Sequence, residues 1–388
     1  MTVLFATTIL PMERRTGSEV ASAAFVEALR ETGSRVIVLG YRRAGSGRPA
    51  GADEVRVADR HIETAEAGWR PIPWLARAAF TRRAYSAAKY EGRRYRATLA
   101  AMLRRHRPQL AVIDHAQLHW LAGILERAAV PFVFIAHNVE RDIYGAAAAA
   151  TRPPRRWVAA REARRIGSAE ADLTRRAAAV WTLTAGDASG LQDAAATASV
   201  RNFDLPPAVA PAEPLAPEVD VGILGTWSWE PNAAGLRWFA DRVRPLLDTS
   251  VSTAVGGAGA GALLAGVSGV EYRGRVPDAA AFLRSARVVA VPSVAGSGVQ
   301  VKTLDAIAAG RPVVATSVAM RGVGKPPAFV SVRDDPREFA AAISDGLHAQ
   351  GGAREAAAAA GDWVAGRRRS FAAAVRDAVA AAEPRAAA

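Results

Sequence analysis

Residues 291–316 read VPSVAGSGVQVKTLDAIAAGRPVVAT, and this stretch determines the fold that we expect. An apolar strand ends at Ser293, a turn with two glycines follows, and helix-forming residues continue from near Lys302. Gly310 and Pro312 end that helix before the next apolar run. A strand, a glycine-rich turn and a helix N-terminus leave backbone N–H groups facing the turn, which suits an anion. The stretch therefore predicts an α/β unit with an anion site.

Similar apolar runs recur along the whole chain and predict its strands. They begin at Val3, Val36, Leu110, Pro131, Ala179, Val219, Val251, Val270, Val288 and Pro312. The runs are continuous rather than alternating, which is typical of parallel strands covered on both faces. Helical segments such as Ser18–Thr32 and Asn232–Leu247 supply the connections. The tail from Gly352 is helical by composition, with a break expected near Gly361 or Gly366. Repeated prolines in residues 202–218 exclude a continuing helix or central strand, so we expect two α/β units joined there.

Composition limits the class of protein. The chain has 388 residues, of which 50% are hydrophobic and 22% charged, and it contains no cysteine, which excludes disulfides and zinc–thiolate sites. The opening MTVLFATTILPMERR predicts a first strand rather than a signal peptide, and no apolar run reaches the roughly 20 residues that span a bilayer. We therefore expect a cytoplasmic protein.

The net charge of +13 comes almost entirely from arginine. Together with the many alanines, it is typical of GC-rich coding, and we expect a bacterial protein. A basic surface attracts nucleic acid, anionic lipid or phosphorylated substrates. No zinc finger, RNA-binding aromatic motif or helix-turn-helix pattern is present, so a nucleic-acid partner is not expected.

Three segments resemble one enzyme family. VPSVAGSGVQVKTLDAIAAGRPVVATSVAMRGV, from Val291, resembles the donor-site segment of family 4 retaining glycosyltransferases of the GT-B fold. GTWSWEPNAAGLRWFADRVRPLL, from Gly225, resembles a second segment of that family. IAHNVERDIY and AAAVWTLTAGDASGL in the first half resemble a third. The resemblance implies two Rossmann-like α/β/α domains facing each other across a cleft. It places acceptor binding in residues 1–203 and donor binding in residues 204–365, and a helix over about 366–388 packs back on the first domain.

The resemblance also implies which residues bind a nucleotide-sugar donor. Lys302 would hold the diphosphate together with the amides of the glycine-rich turn, and Asp305 would hold the ribose hydroxyls. The implied donor site comprises Gly225, Thr226, Arg275, Val276, Gly296, Ser297, Gly298, Val299, Gln300, Lys302, Thr303 and Asp305. The transfer would proceed with retention, with no cofactor and no metal ion.

The chain departs from the family pattern at three donor-site positions. The first glutamate of the family's paired-glutamate motif has no counterpart, and Ala295 stands nearest to it. Gln300 stands where the family often has an arginine, which removes one positive charge from the diphosphate site. Asp305 replaces a glutamate and shortens its reach by one methylene group. These departures favour a non-catalytic sugar-nucleotide-binding protein as the alternative function, and a non-hydrolysing nucleotide-sugar epimerase is a second alternative.

Candidate acceptor-site residues lie in the first half of the chain. His137 follows a strand and is expected to orient or stabilise the reacting groups as a catalytic residue alongside Lys302. Other residues at strand ends or in the matched motif complete the acceptor site: Gly17, His115, Asn138 and Glu140. Ser18 is a plausible N-cap, with Glu19 in the first turn.

Asp114, His115 and His119 lie in the stretch DHAQLH. Its two histidines have the i, i+4 spacing of a metal-binding helix face, but no third ligand is apparent and no metal site is expected. Residues 68–85 interleave tryptophans and arginines, which fits either contact with an anionic membrane or core packing with a basic outer face. The expected acceptor is a glycan, a lipid-linked group or a natural product, and peripheral contact with the inner face of the cytoplasmic membrane is one expectation.

Overall fold

The computed structural model of the chain describes residues 1–49, 51–61, 74, 78, 83–149, 151–153, 155–195, 198–213, 215–349 and 352–382. The chain forms two compact units. Unit 1 comprises Met1–Phe203 with Phe371–Ala388, and unit 2 comprises Asp204–Ser370. Most of the expected membrane-contact segment at residues 68–85 lies outside the described residues.

Unit 1 contains a seven-stranded parallel sheet with the strand order β3-β2-β1-β4-β5-β6-β7. Its strands are β1 (Thr2–Ile9), β2 (Arg35–Arg43), β3 (Glu54–Arg60), β4 (Leu110–Asp114), β5 (Phe132–Ala136), β6 (Ala179–Thr182) and β7 (Ser199–Asn202). Its helices are α1 (Gly17–Glu31), α2 (Tyr85–Ala88), α3 (Arg93–His106), α4 (Ala122–Arg127), α5 (Glu140–Ala149), α6 (Arg155–Arg176) and α7 (Ala185–Gln192). The interior strand β1 is almost entirely buried, as its apolar run predicts.

Unit 2 contains a six-stranded parallel sheet with the order β10-β9-β8-β11-β12-β13. Its strands are β8 (Val219–Leu224), β9 (Thr253–Gly256), β10 (Val270–Gly274), β11 (Ala286–Val291), β12 (Val313–Ala315) and β13 (Val330–Val332). Its helices are α8 (Glu230–Trp238), α9 (Ala279–Arg284), α10 (Val301–Ala308) and α11 (Pro336–His348). A last helix, α12 (Gly352–Ala382), begins in unit 2 and ends in unit 1.

Two details differ from the sequence-based expectations. Helix α12 runs unbroken, so the expected break near Gly361 or Gly366 is wrong. Helix α8 begins before Asn232 and continues beyond Trp238 as one π-helical and one 3-10 segment instead of a regular helix to Leu247. Among the described residues, no helix is both long enough and apolar enough to cross a membrane.

Each unit has its own apolar core. In unit 1, Phe25, Trp181, Phe203 and Phe371 form a buried aromatic cluster with ring centroids 5.0 to 6.2 Å apart. In unit 2, aliphatic side chains of the central strands pack against Leu236, Phe239 and Phe339. Because all strands of each sheet are parallel, the loops that follow the strands gather at one edge, where ligands bind in open α/β sheets.

Candidate functional site

In unit 2, the loops after β8 and β9 approach each other closely at the carboxyl edge. The amide of Gly225 donates to the carbonyl of Gly256 at 3.2 Å. Gly257 has φ +105°, and a Cβ atom there would lie 1.7 Å from the carbonyl oxygen of Gly225. The approach therefore requires glycine at position 257. It holds Gly225 and the exposed Thr226 at the edge where donor binding is predicted.

The glycine-rich turn after β11 adopts backbone angles that only glycine takes without strain. Gly296 has φ +125° and Gly298 has φ +66°. Among the described residues, neither amide has a hydrogen-bond acceptor, and helix α10 begins three residues after Gly298. The carbonyl of Gly296 accepts a hydrogen bond from the Arg321 side chain, and the carbonyl of Arg321 accepts from the Gln300 amide at 3.1 Å. Arg321 thus fixes the turn through its side chain and its carbonyl group, while the amides of Gly296 and Gly298 stay available to an anion.

Lys302 connects this turn to the loop after β8. Its Nζ donates to Oδ1 of Asn232 at 2.7 Å, and Nδ2 of Asn232 donates to the carbonyl of Thr226 at 3.0 Å. Burial lowers the pKa of Lys302 to about 8. Among the described residues no carboxylate pairs with this ammonium, so it is a partly buried positive charge without a counter-ion. Such a group favours an anionic ligand, because the negative charge of the ligand would offset the cost of removing the ammonium from water.

Asp305 lies one turn further along α10 and already has two hydrogen-bond donors. Its Oδ1 accepts from the amides of Ala208 and Val209 at 2.9 and 3.1 Å. Burial raises its pKa to about 6, although these two N–H groups oppose the shift. The carboxylate therefore anchors the proline-rich segment after β7 to α10, and its predicted contact with a ribose stays a prediction.

The remaining predicted donor residues fall into two groups. Arg275 and Val276 follow β10, and Ser297, Val299 and Gln300 lie in or beside the glycine-rich turn. Thr303 differs, because its side chain is fully buried and its hydroxyl donates to the carbonyl of Ala319 at 2.7 Å. The Thr303 side chain therefore packs α10 onto the core, and the predicted contact of this residue with the donor stays a prediction.

In unit 1, the adjacent strands β4 and β5 bring Asp114 and His137 together. Asp114 is fully buried, and its Oδ1 accepts from Nε2 of His137 at 2.6 Å. Its Oδ2 accepts from the hydroxyls of Thr7 and Ser22 at 2.6 and 2.7 Å. Burial by itself would raise the pKa of Asp114. The neighbouring imidazoles and these hydrogen bonds outweigh burial and hold the pKa well below its ordinary range. The group is thus a carboxylate that accepts hydrogen bonds only.

His115 completes this cluster from a strained position. Its backbone has φ +84°, and its ring stacks on that of His137 with centroids 4.0 Å apart. Burial and the proximity of His137 lower the pKa of His115 to about 4, so its imidazole is neutral near pH 7. The predicted acceptor-side residues His115 and His137 are therefore in direct contact.

His115 and His119 do not lie on one face of an α-helix, as a metal-binding pair at this spacing would. His115 precedes a 3-10 helix rather than lying on an α-helix, and Nδ1 of His119 contacts the carbonyl of Ala116 at 3.2 Å. The described residues contain one trio close enough to share an ion: Asp114, His115 and His137. The carboxylate oxygens of that trio already accept three hydrogen bonds, so the arrangement is that of an imidazole–carboxylate pair.

The other predicted acceptor-side residues lie at the starts of helices α1 and α5. Gly17 is the exposed first residue of α1, and the N-cap is Thr16 rather than Ser18, because Thr16 Oγ1 accepts from the Glu19 amide. Asn138 and Glu140 come directly after His137. The amide of Glu140, which begins α5, donates to the buried Glu170 carboxylate at 2.8 Å.

Comparison with known proteins identifies the class to which these features belong. Residues 218–348 match the model of a family described as glycosyl transferases group 1. The matched segment is about a third of the chain, and it is similar to the members of that family. It includes the loop after β8, the glycine-rich turn and Lys302. No curated protein matches the sequence significantly.

Solved structures match over nearly the whole chain. Sucrose-phosphate synthase from Thermosynechococcus elongatus matches with a TM-score of 0.67 at 13% identity, covering 98% of this chain and 97% of that one. HepE from Anabaena, solved with UDP, matches with a TM-score of 0.60 at 15% identity over 98% of both chains. The trehalose-phosphate synthase of Burkholderia xenovorans gives 0.60 at 14%, also over 98% of both. The chain therefore has the GT-B fold, which confirms the predicted fold class. The match of residues 218–348 confirms the predicted resemblance and the predicted glycosyltransferase class.

Several residues of these clusters were missed in the sequence. Asn232 lies in the matched WEPN segment, and Arg321 lies in the matched segment after the turn, but neither pattern shows that they approach the turn. Asp114 was noted only as part of a weak metal pattern. Its position at the end of a buried strand was the available signal, since an acid there is expected to have partners.

Proposed function

We propose that the glycosyltransferase binds a nucleoside-diphosphate sugar in unit 2 and transfers the hexose-type sugar to an acceptor with retention and without a metal ion. The observation that carries the proposal is the Lys302 ammonium. It lies beside a turn whose two glycine amides face no acceptor among the described residues, and Asn232 holds it in place. A diphosphate is the anion that matches one buried cation, two amides and a helix N-terminus.

A solved relative supports this choice of ligand. HepE from Anabaena has been solved with UDP, with UDP and glucose, and with UDP-glucose. In our proposal the diphosphate of the donor lies on the turn of residues 296–298, and Arg321 at the same turn supplies the charge that Gln300 lacks. The ribose contacts Asp305, and the base lies near Arg275 and Val276.

In the proposed reaction the diphosphate is the leaving group. The bond from the sugar C1 to the phosphate oxygen breaks, the acceptor oxygen bonds to C1 on the same face, and the acceptor proton passes to the departing phosphate. Lys302 stabilises the charge that develops on the phosphate. Nε2 of His137 donates its hydrogen bond to Asp114, so Nδ1 is the ring atom that can orient an acceptor group. Gly17, His115, Asn138 and Glu140 complete the proposed acceptor site.

The acceptor in this proposal is a glycan, a lipid-linked group or a natural product, and the reaction takes place in the cytoplasm. An epimerase is less well supported, because that chemistry requires acids and histidines around the sugar. Residues 204–370 contain a single histidine, His348, whose Nδ1 contacts the carbonyl of Ser344 at 2.7 Å. A non-catalytic binding protein would share the donor contacts and differ in turnover.

Thermal-shift and calorimetric titration with UDP, GDP, TDP and ADP, each with and without magnesium, tests the proposal. We expect one base to raise the melting temperature in a concentration-dependent manner, with no requirement for magnesium. Lys302→Met should weaken that binding by about 10- to 100-fold, since it removes a charged hydrogen bond. Lys325→Met is the matched control, because Lys325 is exposed and lies outside the donor site. Binding unaffected by Lys302→Met would refute the assignment, and binding without sugar transfer to any acceptor would favour the non-catalytic protein.

A further inference from the structure

Helices α5 and α6 of unit 1 form an antiparallel hairpin with an unusual end. The two helices pack together: a Cβ added at Gly167 in α6 would lie 3.0 Å from Cβ of Arg141 in α5. Helix α5 ends at Ala149, and α6 begins at Arg155. We call the described residues Arg152, Arg155, Arg156, Trp157, Val158 and Arg161 the hairpin tip.

The hairpin tip exposes two large apolar side chains side by side in the sequence. Trp157 is 71% exposed and Val158 is 66% exposed, the two highest values among the large hydrophobic residues that the structure describes. The buried residues of α6 begin only at Ala163 and continue through Ile166 and Leu173, which fall on one helix face. An α-helix rotates by 100° per residue, and at that rotation Trp157 and Val158 point away from the buried face. Core packing therefore does not account for them.

The charges around this apolar pair are all positive. Between Asp142 and Glu162 the chain has four arginines, at positions 152, 155, 156 and 161, and no acidic residue. Arg155, Arg156 and Arg161 are exposed, and no ion pair joins any of them to a carboxylate among the described residues. About half of the exposed arginines elsewhere in the described part of unit 1, such as Arg14 and Arg35, have an acidic partner, so what sets the hairpin tip apart is unpaired arginines beside an exposed tryptophan. An exposed tryptophan flanked by unpaired arginines fits an interface that is apolar on one side and anionic on the other.

We infer that the hairpin tip binds an anionic phospholipid surface. Trp157 and Val158 enter the boundary between headgroups and acyl chains, and the arginines pair with lipid phosphates. This surface differs from residues 68–85, where the sequence suggested membrane contact. It also lies near the acceptor side of unit 1. Helix α5 begins three residues after His137, and its ten residues extend for about 15 Å towards the tip. The inference rests on unit 1 alone and does not require the proposed donor site.

Co-sedimentation with vesicles of phosphatidylglycerol and phosphatidylcholine, against vesicles of phosphatidylcholine alone, tests this inference. We expect the full chain to bind the anionic vesicles, less strongly as salt rises, and to bind the neutral vesicles weakly. Arg155→Gln with Arg156→Gln should lower the partition coefficient roughly 30-fold. The matched control is Arg104→Gln with Arg105→Gln, an exposed adjacent pair at the end of α3 with the same charge change.

Trp157→Ala should lower binding roughly tenfold, whereas Trp229→Ala, at a tryptophan that is 56% exposed in unit 2, should not. Melting temperatures of all variants should match the parent, since the changed side chains are exposed. Three results would overturn the inference: no binding to anionic vesicles at low salt, equal losses in the two arginine pairs, or binding of a single-stranded oligonucleotide but not of vesicles. Donor titration of the hairpin-tip variants should be unchanged, so a failure here is distinguishable from a failure of the proposed function.

Discussion

His137 and Asp114 form a buried hydrogen-bonded pair, with Nε2 of the imidazole 2.6 Å from Oδ1 of the carboxylate. The second carboxylate oxygen is occupied by the hydroxyls of Thr7 and Ser22, so the carboxylate cannot rotate freely. Since this carboxylate only accepts, Nε2 of His137 carries a hydrogen, and the tautomer of the imidazole is determined by its partner. Asp114 thereby acts as a positioning residue for His137.

The pair predicts non-additive losses of turnover. Asp114→Asn should lower kcat by about 10- to 100-fold because the imidazole loses its charged partner, while the Kd for the nucleotide stays unchanged. His137→Gln should cause a similar loss, and the double variant should be no worse than the more severe single variant. Steady-state kinetics with nucleotide titration measure this. Multiplicative losses would mean that the two residues act independently. His119→Gln serves as a control outside the pair.

Binding of the donor should depend on pH through Lys302. The pKa of Lys302 is lowered to about 8, so the ammonium is charged at pH 7 and loses its proton as the pH rises through 8. Affinity for a nucleotide sugar should be constant from pH 6 to 7 and fall about tenfold by pH ~9.5. In Lys302→Met this fall should disappear, whereas Lys325→Met should retain it. A wild-type affinity that is flat across pH 8 would contradict the role of Lys302.

The lowered pKa of Lys302 also makes the folded state more stable at high pH, whereas donor binding weakens there. Between about 8 and 10.5 the unfolded chain binds more protons at this lysine than the folded chain does. The contribution of Lys302 to the free energy of unfolding therefore increases as the pH rises through this range. Denaturant titrations at pH 7.5 and 9.5 should show this gain in the wild type and a smaller one in Lys302→Met.

Asn232 distinguishes a ligand-binding role of Lys302 from a structural one. Asn232→Asp places a carboxylate 2.7 Å from the ammonium, which would strengthen the contact if it only supported the fold. If Lys302 binds a diphosphate, the new carboxylate neutralises the ammonium and repels the ligand. We therefore expect Asn232→Asp to weaken donor binding more than Asn232→Ala does, while its melting temperature is equal or higher. The reverse order of affinities would assign Lys302 to the fold.

Two glycines in helices should respond oppositely to alanine. In α8, a Cβ at Gly235 would lie 2.1 Å from the carbonyl oxygen of Pro292, just before the glycine-rich turn. Gly235→Ala should cost about 2 kcal/mol of unfolding free energy and weaken nucleotide binding. A Cβ at Gly361 in α12 would meet nothing within 4 Å, so Gly361→Ala should stabilise by about 1 kcal/mol. Urea denaturation measures both, and a tolerated Gly235→Ala would show that α8 and the turn can move apart.

Most of the fold was predictable because buried parallel strands have continuous apolar runs. The three strands that were missed, β3, β7 and β13, are all edge strands of their sheets, and each is at least partly exposed. Sequences such as EVRVADR and SVRN lack the apolar run because one side of an edge strand has no neighbour. The break expected in α12 failed for another reason. Five alanines precede Gly361, and Val364 and Arg367 anchor the helix on unit 2.

The site was only half predictable. The sequence places His137 at the end of a strand and Lys302 just after the glycine-rich turn. Both positions lie at the carboxyl edge of their sheet, because the loops that follow parallel strands gather there. The contacts that define their chemistry join residues 70 and 23 positions apart, Lys302 with Asn232 and His137 with Asp114. Such contacts depend on strand register and side-chain rotamers, which a single sequence does not encode in a readable pattern. The inward orientation of Thr303 was missed for the same reason.

Unit 1 is discontinuous in the chain, and this has a consequence during synthesis. Phe371 lies 5.0 Å from Phe25 in the aromatic cluster, and Val375 and Val379 of the same helix are buried. At typical translation speeds, residues 204–370 take roughly 10 to 30 s to make, and through that time Phe25 and Trp181 lack their last packing partner. Unit 2 can therefore fold on the ribosome before unit 1 is complete. The nascent chain leaves an apolar surface on its older half, which a chaperone would have to cover until the final helix emerges.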